Sequence, residues 1–185
     1  MRARGPGQSA LLLLDVAATL GNQGIDYVVI GAMAAAVHGS IRATTDADAL
    51  VSVGVAKLKH LQGALKRAGL SADLRQGDAE DPIRALLAVT DKHRNRVDIL
   101  AGLRGLDAGA FSRAIEVPLL GSSLRVVGRE DFIAMKCFAG NQQDIADARH
   151  ALKAANEPID IDLVRRLSKR FGRSAADALD RVLKS

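Results

Sequence analysis

At 185 residues, with a net charge of +5 and a pI near 9.7, the chain is long enough to bury a full core as one domain, or one domain with a helical appendage. No apolar run nears the roughly 20 residues of a membrane-spanning helix, and the lone Cys137 excludes a disulfide framework or a clustered thiolate metal site, so a reducing cytoplasm is expected. The positive balance favours phosphate-bearing partners, whereas one Tyr and four Phe leave little for base stacking.

The opening residues place basic side chains before four leucines, in the manner of a signal peptide, but Asp15 interrupts the apolar stretch. The helical spacing of Leu12, Val16 and Leu20 instead predicts an amphipathic helix over Ser9–Asn22, with Ser9 as its cap. Ile25 to Ile30 is a short β-branched run and predicts a buried strand. Gly31 turns it into a short helix that breaks at Gly39, and Asp46 opens a second strand ending near Val53. Val55 to Ala68 is an amphipathic helix with Val55, Leu58, Leu61, Leu65 and Ala68 inward. A weak strand over Ala72–Arg75 precedes two further strands, Ile83–Thr90 and Val97–Leu100, joined by a charged turn. Short strands at Ala114–Val117 and Leu124–Val127 flank a Gly121 turn. Helices then follow at Glu130–Phe138, Gln142–Ala155, Ile161–Phe171 and Ala175–Leu183, the last with Ser174 and Asp177 at capping-box spacing. Strands alternating with helices and ending in a helical tail predict an α/β (α+β) core over residues 1–128 and a C-terminal helical subdomain over 129–185.

Asp46 and Asp48 are two apart on one strand and so project from the same face. Two like charges in an apolar strand repel each other, and a shared divalent cation relieves that repulsion. Hard cations such as Mg²⁺ take carboxylates together with substrate phosphates. Solvation at a strand end, or pairing with Arg42, is the bland account of the same pair. Asp98, between Val97 and Ile99, is costly to bury without a metal or a cation and makes a third carboxylate, on what is expected to be a neighbouring strand. Three carboxylates around divalent ions suit in-line attack of a hydroxyl on an α-phosphate, with Asp98 as ligand or proton acceptor. Gly31 either serves a packing turn or lets backbone amides face an anion. Arg42 either steadies the acidic strand or touches phosphate, and His38 reads as structural.

The run Gly31-Ala32, Arg42-x-Thr44-x-Asp46-x-Asp48, with Asp98 later in Arg96-Val97-Asp98-Ile99-Leu100, resembles the nucleotidyltransferase superfamily that includes DNA polymerase β. With the run Glu130 to Asp147, it is most similar to the small bacterial abortive-infection or toxin-type (AbiEii/AbiGii-like) group. The resemblance spans roughly residues 25 to 155. It implies a nucleotidyltransferase fold with a mixed sheet flanked by helices, and transfer of a nucleoside monophosphate from an NTP to a hydroxyl. It further implies Mg²⁺ (or Mn²⁺) on Asp46, Asp48 and Asp98, and nucleotide contacts from Gly31, Ala32, Arg42, Thr44 and Lys136. On periodicity alone, Lys136 reads equally as a solvated lysine on an amphipathic helix. The acceptor implied is the 3′ end of tRNA or another RNA, with a cognate antitoxin as partner and no membrane. The alternatives are transfer to an aminoglycoside-like small molecule and a catalytically silent binding module. Two positions depart from the family pattern. Ala32 stands where serine or glycine is usual, and Asn141 stands where arginine is usual, as a plausible helix cap ahead of Asp144 and Asp147, themselves read as capping residues.

Overall fold

Hydrophobic alternation along the chain resolves into one mixed seven-stranded sheet in the computed structural model, which describes residues 1–41, 43–154 and 158–184. Helix α1 (Ser9–Asn22) leads into strand β1 (Tyr27–Ile30), helix α2 (Gly31–Val37), strand β2 (Asp46–Val51) and helix α3 (Val55–Arg67). Strands β3 (Ser71–Gln76), β4 (Ile83–Thr90) and β5 (Arg96–Leu103) follow, then the hairpin β6 (Ile115–Leu119) and β7 (Ser122–Val126). Four helices complete the chain: α4 (Arg129–Ala139), α5 (Gln142–Lys153), α6 (Ile161–Arg170) and α7 (Arg173–Leu183). The predicted end of α5 at Ala155 lies outside the described residues.

The strand order is β3-β4-β5-β2-β1-β7-β6, with β2 parallel to β5 and antiparallel to β1. Along β4 and β5 every second residue is buried: Ala85, Leu87 and Val89 on one, Val97, Ile99 and Ala101 on the other. These residues, with Ala47 and Ala49 of β2, join Leu12, Leu13 and Leu20 of α1 and Leu58, Leu61 and Leu65 of α3 in the core. By the twofold period of a strand, the intervening residues, among them Asp46, Asp48, Asp98, Leu86 and Leu100, are on the other face. The core continues without a break into the C-terminal helices through Phe132, Ile133, Val164 and Leu179.

Three local expectations differ from what the fold adopts. Ser9 is the first helical residue rather than the cap. Its Oγ donates to the Thr45 carbonyl (2.6 Å) and accepts from the Arg96 amide (3.1 Å), stitching the start of β2 to the start of β5. Ala68 lies past the end of α3 and is exposed, because Leu65 and then Leu70 already fill that part of the core. Gly172, not Ser174, precedes α7, and no side chain caps that helix. Asn141 does cap α5, its Oδ1 accepting from the Asp144 amide at 2.9 Å.

Candidate active site

The two strands bearing the aspartates are neighbours, and their register decides the geometry. In the parallel β2–β5 pair, Asp48 lies opposite Asp98 and Asp46 opposite Arg96, so all three carboxylates share one face of the sheet. In the antiparallel β1–β2 pair, Ile30 lies opposite Asp48. The next residue, Gly31, therefore turns against that carboxylate. Its φ is +65°, and a Cβ built there would stand 2.1 Å from Asp48 Oδ2. Only glycine fits, both for the left-handed backbone and for the close approach. The glycine bend and the acidic strands thus converge, and buried Ala32 follows in the first turn of α2.

The Asp48 carboxyl is strongly perturbed. Burial, then repulsion from Asp46 and Asp98, pushes it up to about 6, against the opposing pull of Lys136 and Arg96. Asp46 accepts from Thr44 Oγ1 at 2.9 Å, which ties the exposed approach loop to the strand. Asp98 is gripped by Arg96 in a fork, Nε to Oδ1 and Nη2 to Oδ2, each 2.8 Å. Arg42 lies outside the described residues.

Lys136 is not a solvated lysine. Its ammonium is 2.7 Å from Asp144 Oδ1 and 2.9 Å from Asp147 Oδ2, with side chains 10% exposed for Lys136 and 0% for Asp147. Asp147 also accepts from Ser40 Oγ at 2.7 Å and from Gln143. Burial alone would raise the Asp147 carboxyl, but the hydrogen bonds from Lys136, Ser40 and Gln143 prevail and hold it below the ordinary carboxylate range. Asp144 lies in the first turn of α5, as expected, whereas Asp147 lies beyond it and is placed by its ion pair and hydrogen bonds instead. Together they form a buried ionic knot that fastens α4 and α5 to the loop before β2. His38 is structural, as read from the sequence: it is buried, its Nε2 is 2.8 Å from the Val127 carbonyl, and its ring lies against Phe132.

Sequence reasoning missed two residues here. Arg96 stands two positions before Asp98 on one strand, so the alternation that paired Asp46 with Asp48 also pairs these. Ser9 gave no such signal, since its partners come from distant strands. All-oxygen donors on one face suit a hard divalent cation, which would offset the repulsion felt by Asp48. Among the described residues, though, no three acidic, imidazole or thiol side chains stand as a ready-made metal set. The fork from Arg96 engages the third carboxylate.

No family model and no curated protein matches the chain. Solved structures do. The antibiotic-resistance factor ANT(2'')-Ia aligns over 92% of this chain and 94% of its own, with a TM-score of 0.60 at 15% identity. This is the nucleotidyltransferase fold. An antigenic nucleotidyltransferase-like protein from Paracoccidioides brasiliensis shares it, with a TM-score of 0.57 at 15% identity over 98% of this chain and 90% of its own. So does the lincosamide adenylyltransferase LnuA in its lincomycin-bound structure, with a TM-score of 0.53 at 9% identity over 83% and 100%. At these identities the nucleotidyltransferase fold is what is shared.

Proposed function

We propose that this chain is an Mg²⁺- or Mn²⁺-dependent nucleotidyltransferase that moves a nucleoside monophosphate from an NTP to a hydroxyl acceptor. The observation that carries the reading is the register of β2 against β5, which sets Asp48 opposite Asp98 with Gly31 turned onto the Asp48 carboxylate. ANT(2'')-Ia has been solved with adenylyl-2''-tobramycin and LnuA with lincomycin, so neighbours of this fold work on nucleotides and small hydroxylated acceptors.

In this reading Asp46, Asp48 and Asp98 hold the cation, residues 1–128 form the core, and residues 129–185 close it with helices. A divalent cation held by these carboxylates would lower the pKa of an attacking hydroxyl and offset charge on the transferring phosphoryl group. The chain's own groups do the rest. Backbone amides of Gly31 and Ala32 hold the triphosphate, aided by Thr44 and Arg42. Lys136 supplies positive potential at Asp48 from within its ionic knot. Asp98 takes the proton of the incoming hydroxyl as the acceptor oxygen bonds to the α-phosphorus and the bond to the pyrophosphate leaving group breaks. An RNA 3′ end as acceptor, with an antitoxin as partner, is the finer form of this reading that the AbiEii-like resemblance supplies. No helix among the described residues is long and apolar enough to cross a membrane.

One observation favours a second reading, a catalytically silent nucleotide-binding module: Arg96 already neutralises Asp98. Incubation with α-labelled NTPs, Mg²⁺ and a panel of RNA and small-molecule acceptors separates the two. Cation-dependent label transfer by the parent, lost in Asp46→Ala and Asp48→Ala, is the expected result. NTP binding without transfer, insensitive to both substitutions, would establish the silent module.

A further inference from the structure

The sheet face that carries the carboxylates continues across β5, β4 and β3, and two adjoining cavities open on it. One, of about 420 Å³, has Asp48 and Asp98 along one side and Pro82, Ile83, Leu86 and Leu100 as an aliphatic floor. The floor follows from register: Leu86 lies opposite Leu100, and both alternate with the core residues Leu87 and Ile99. The other cavity, of about 550 Å³, is lined by Lys66, Arg75 and Arg96, with Asp73 as its one acid. Arg75 lines both. Its pairing with Asp73, 3.0 Å between two exposed side chains, is weak and leaves the guanidinium able to turn to a ligand.

We propose that these two cavities form the acceptor site, and that the acceptor is a small hydroxylated molecule with an aliphatic face and one anionic group. The proposal rests on the nucleotidyl-transfer reading. The aliphatic face covers Ile83, Leu86 and Leu100, the carboxylate or phosphate reaches Arg75 and Lys66, and the hydroxyl meets Asp98. The product is then a nucleoside monophosphate ester of that hydroxyl, formed with loss of its proton and release of pyrophosphate. Charge orients the acceptor: the second cavity has Lys66, Arg75 and Arg96 against Asp73, whereas the first has Asp48, Asp81 and Asp98 against Arg75, so the anionic group belongs at the second cavity and the hydroxyl at the first. Side-chain type favours this acceptor over the RNA 3′ end that the AbiEii-like resemblance supplies: Tyr27 and the four phenylalanines line neither cavity, so bases find no stacking platform.

The test follows backbone amide NMR shifts of the full chain, without NTP or cation, during titration with four probes. These are 3-hydroxyoctanoate, its methyl ester, tobramycin and a short single-stranded RNA. The acid is expected to shift the amides of Gly77, Ile83, Leu86 and Leu100. Binding should weaken about fivefold for the ester, and for the acid on Arg75→Gln, the scale of one exposed ion pair. Equal binding of acid and ester, stronger shifts of these amides by tobramycin or RNA, or no shift with any probe would each overturn the proposal. Because binding is read without catalysis, the two readings fail separately. Label transfer to some acceptor with these amides silent removes only the pocket assignment. Intact, charge-selective shifts with no transfer to any acceptor remove the catalytic reading.

Discussion

Replacing Asp48 by asparagine removes a charge that the fold holds at a cost. The Asp48 carboxyl is raised from an ordinary 3.8 to about 6, chiefly by burial and then by Asp46 and Asp98. The sign follows from proton linkage. Between those two values the folded state keeps a proton that the unfolded state has lost, so stability falls as pH rises through the window and the penalty is complete above about pH 6. A displacement of this size corresponds to about 3 kcal/mol at neutral pH, an upper figure for a half-buried group. Asp48→Asn keeps the shape without the charge, and in buffer free of divalent cations it should gain about 1–3 kcal/mol, or about 3–10 °C in Tm for a chain of this size. Thermal unfolding followed by circular dichroism between about pH 3 and pH 8 is the assay, and the gain should shrink as pH falls from about 6 and approach zero below about pH 4, where the parent carboxyl becomes protonated in both states. Mg²⁺ should raise the Tm of the parent and leave that of the variant nearly unmoved, since only the parent binds it. No gain at pH 8, or a gain of constant size across the range, would refute the reasoning.

Gly31→Ala should cost at least about 2 kcal/mol in urea unfolding and abolish NTP binding by calorimetry, because the new methyl meets Asp48 Oδ2 and the φ of +65° disfavours a side chain. Lys136→Met leaves the fully buried Asp147 without its cation, and a loss of about 3–5 kcal/mol is expected by the same unfolding assay. Arg96→Gln frees Asp98 from its fork, so Mn²⁺ followed by electron paramagnetic resonance should bind about fivefold tighter, the worth of one exposed pair. Weaker Mn²⁺ binding would show that Arg96 orients Asp98 rather than competing for it.

Local pattern carried a large part of this protein. Periodicities of 2 and 3.6 residues are written into consecutive side chains, so α1, β4 and α4 through α7 were legible to within a few residues, as was the shared face of Asp46 and Asp48. The turn at Gly31 was legible as well, though its left-handed backbone was not. Which strand neighbours which is not local. That β5 lies against β2, in the register that sets Asp98 opposite Asp48, depends on packing against α1 and on the Ser9 hydroxyl bridging the two strand starts. Charge state is equally collective. Lys136 and Asp147 look like ordinary surface residues in a list of letters, and only the closure of α4 and α5 over the loop at Ser40 buries and joins them. The amino-acid order thus determined which groups exist and which way each strand turns them. Tertiary packing decided which of those groups stand together, because a contact across a sheet is set by the summed fit of every neighbouring side chain.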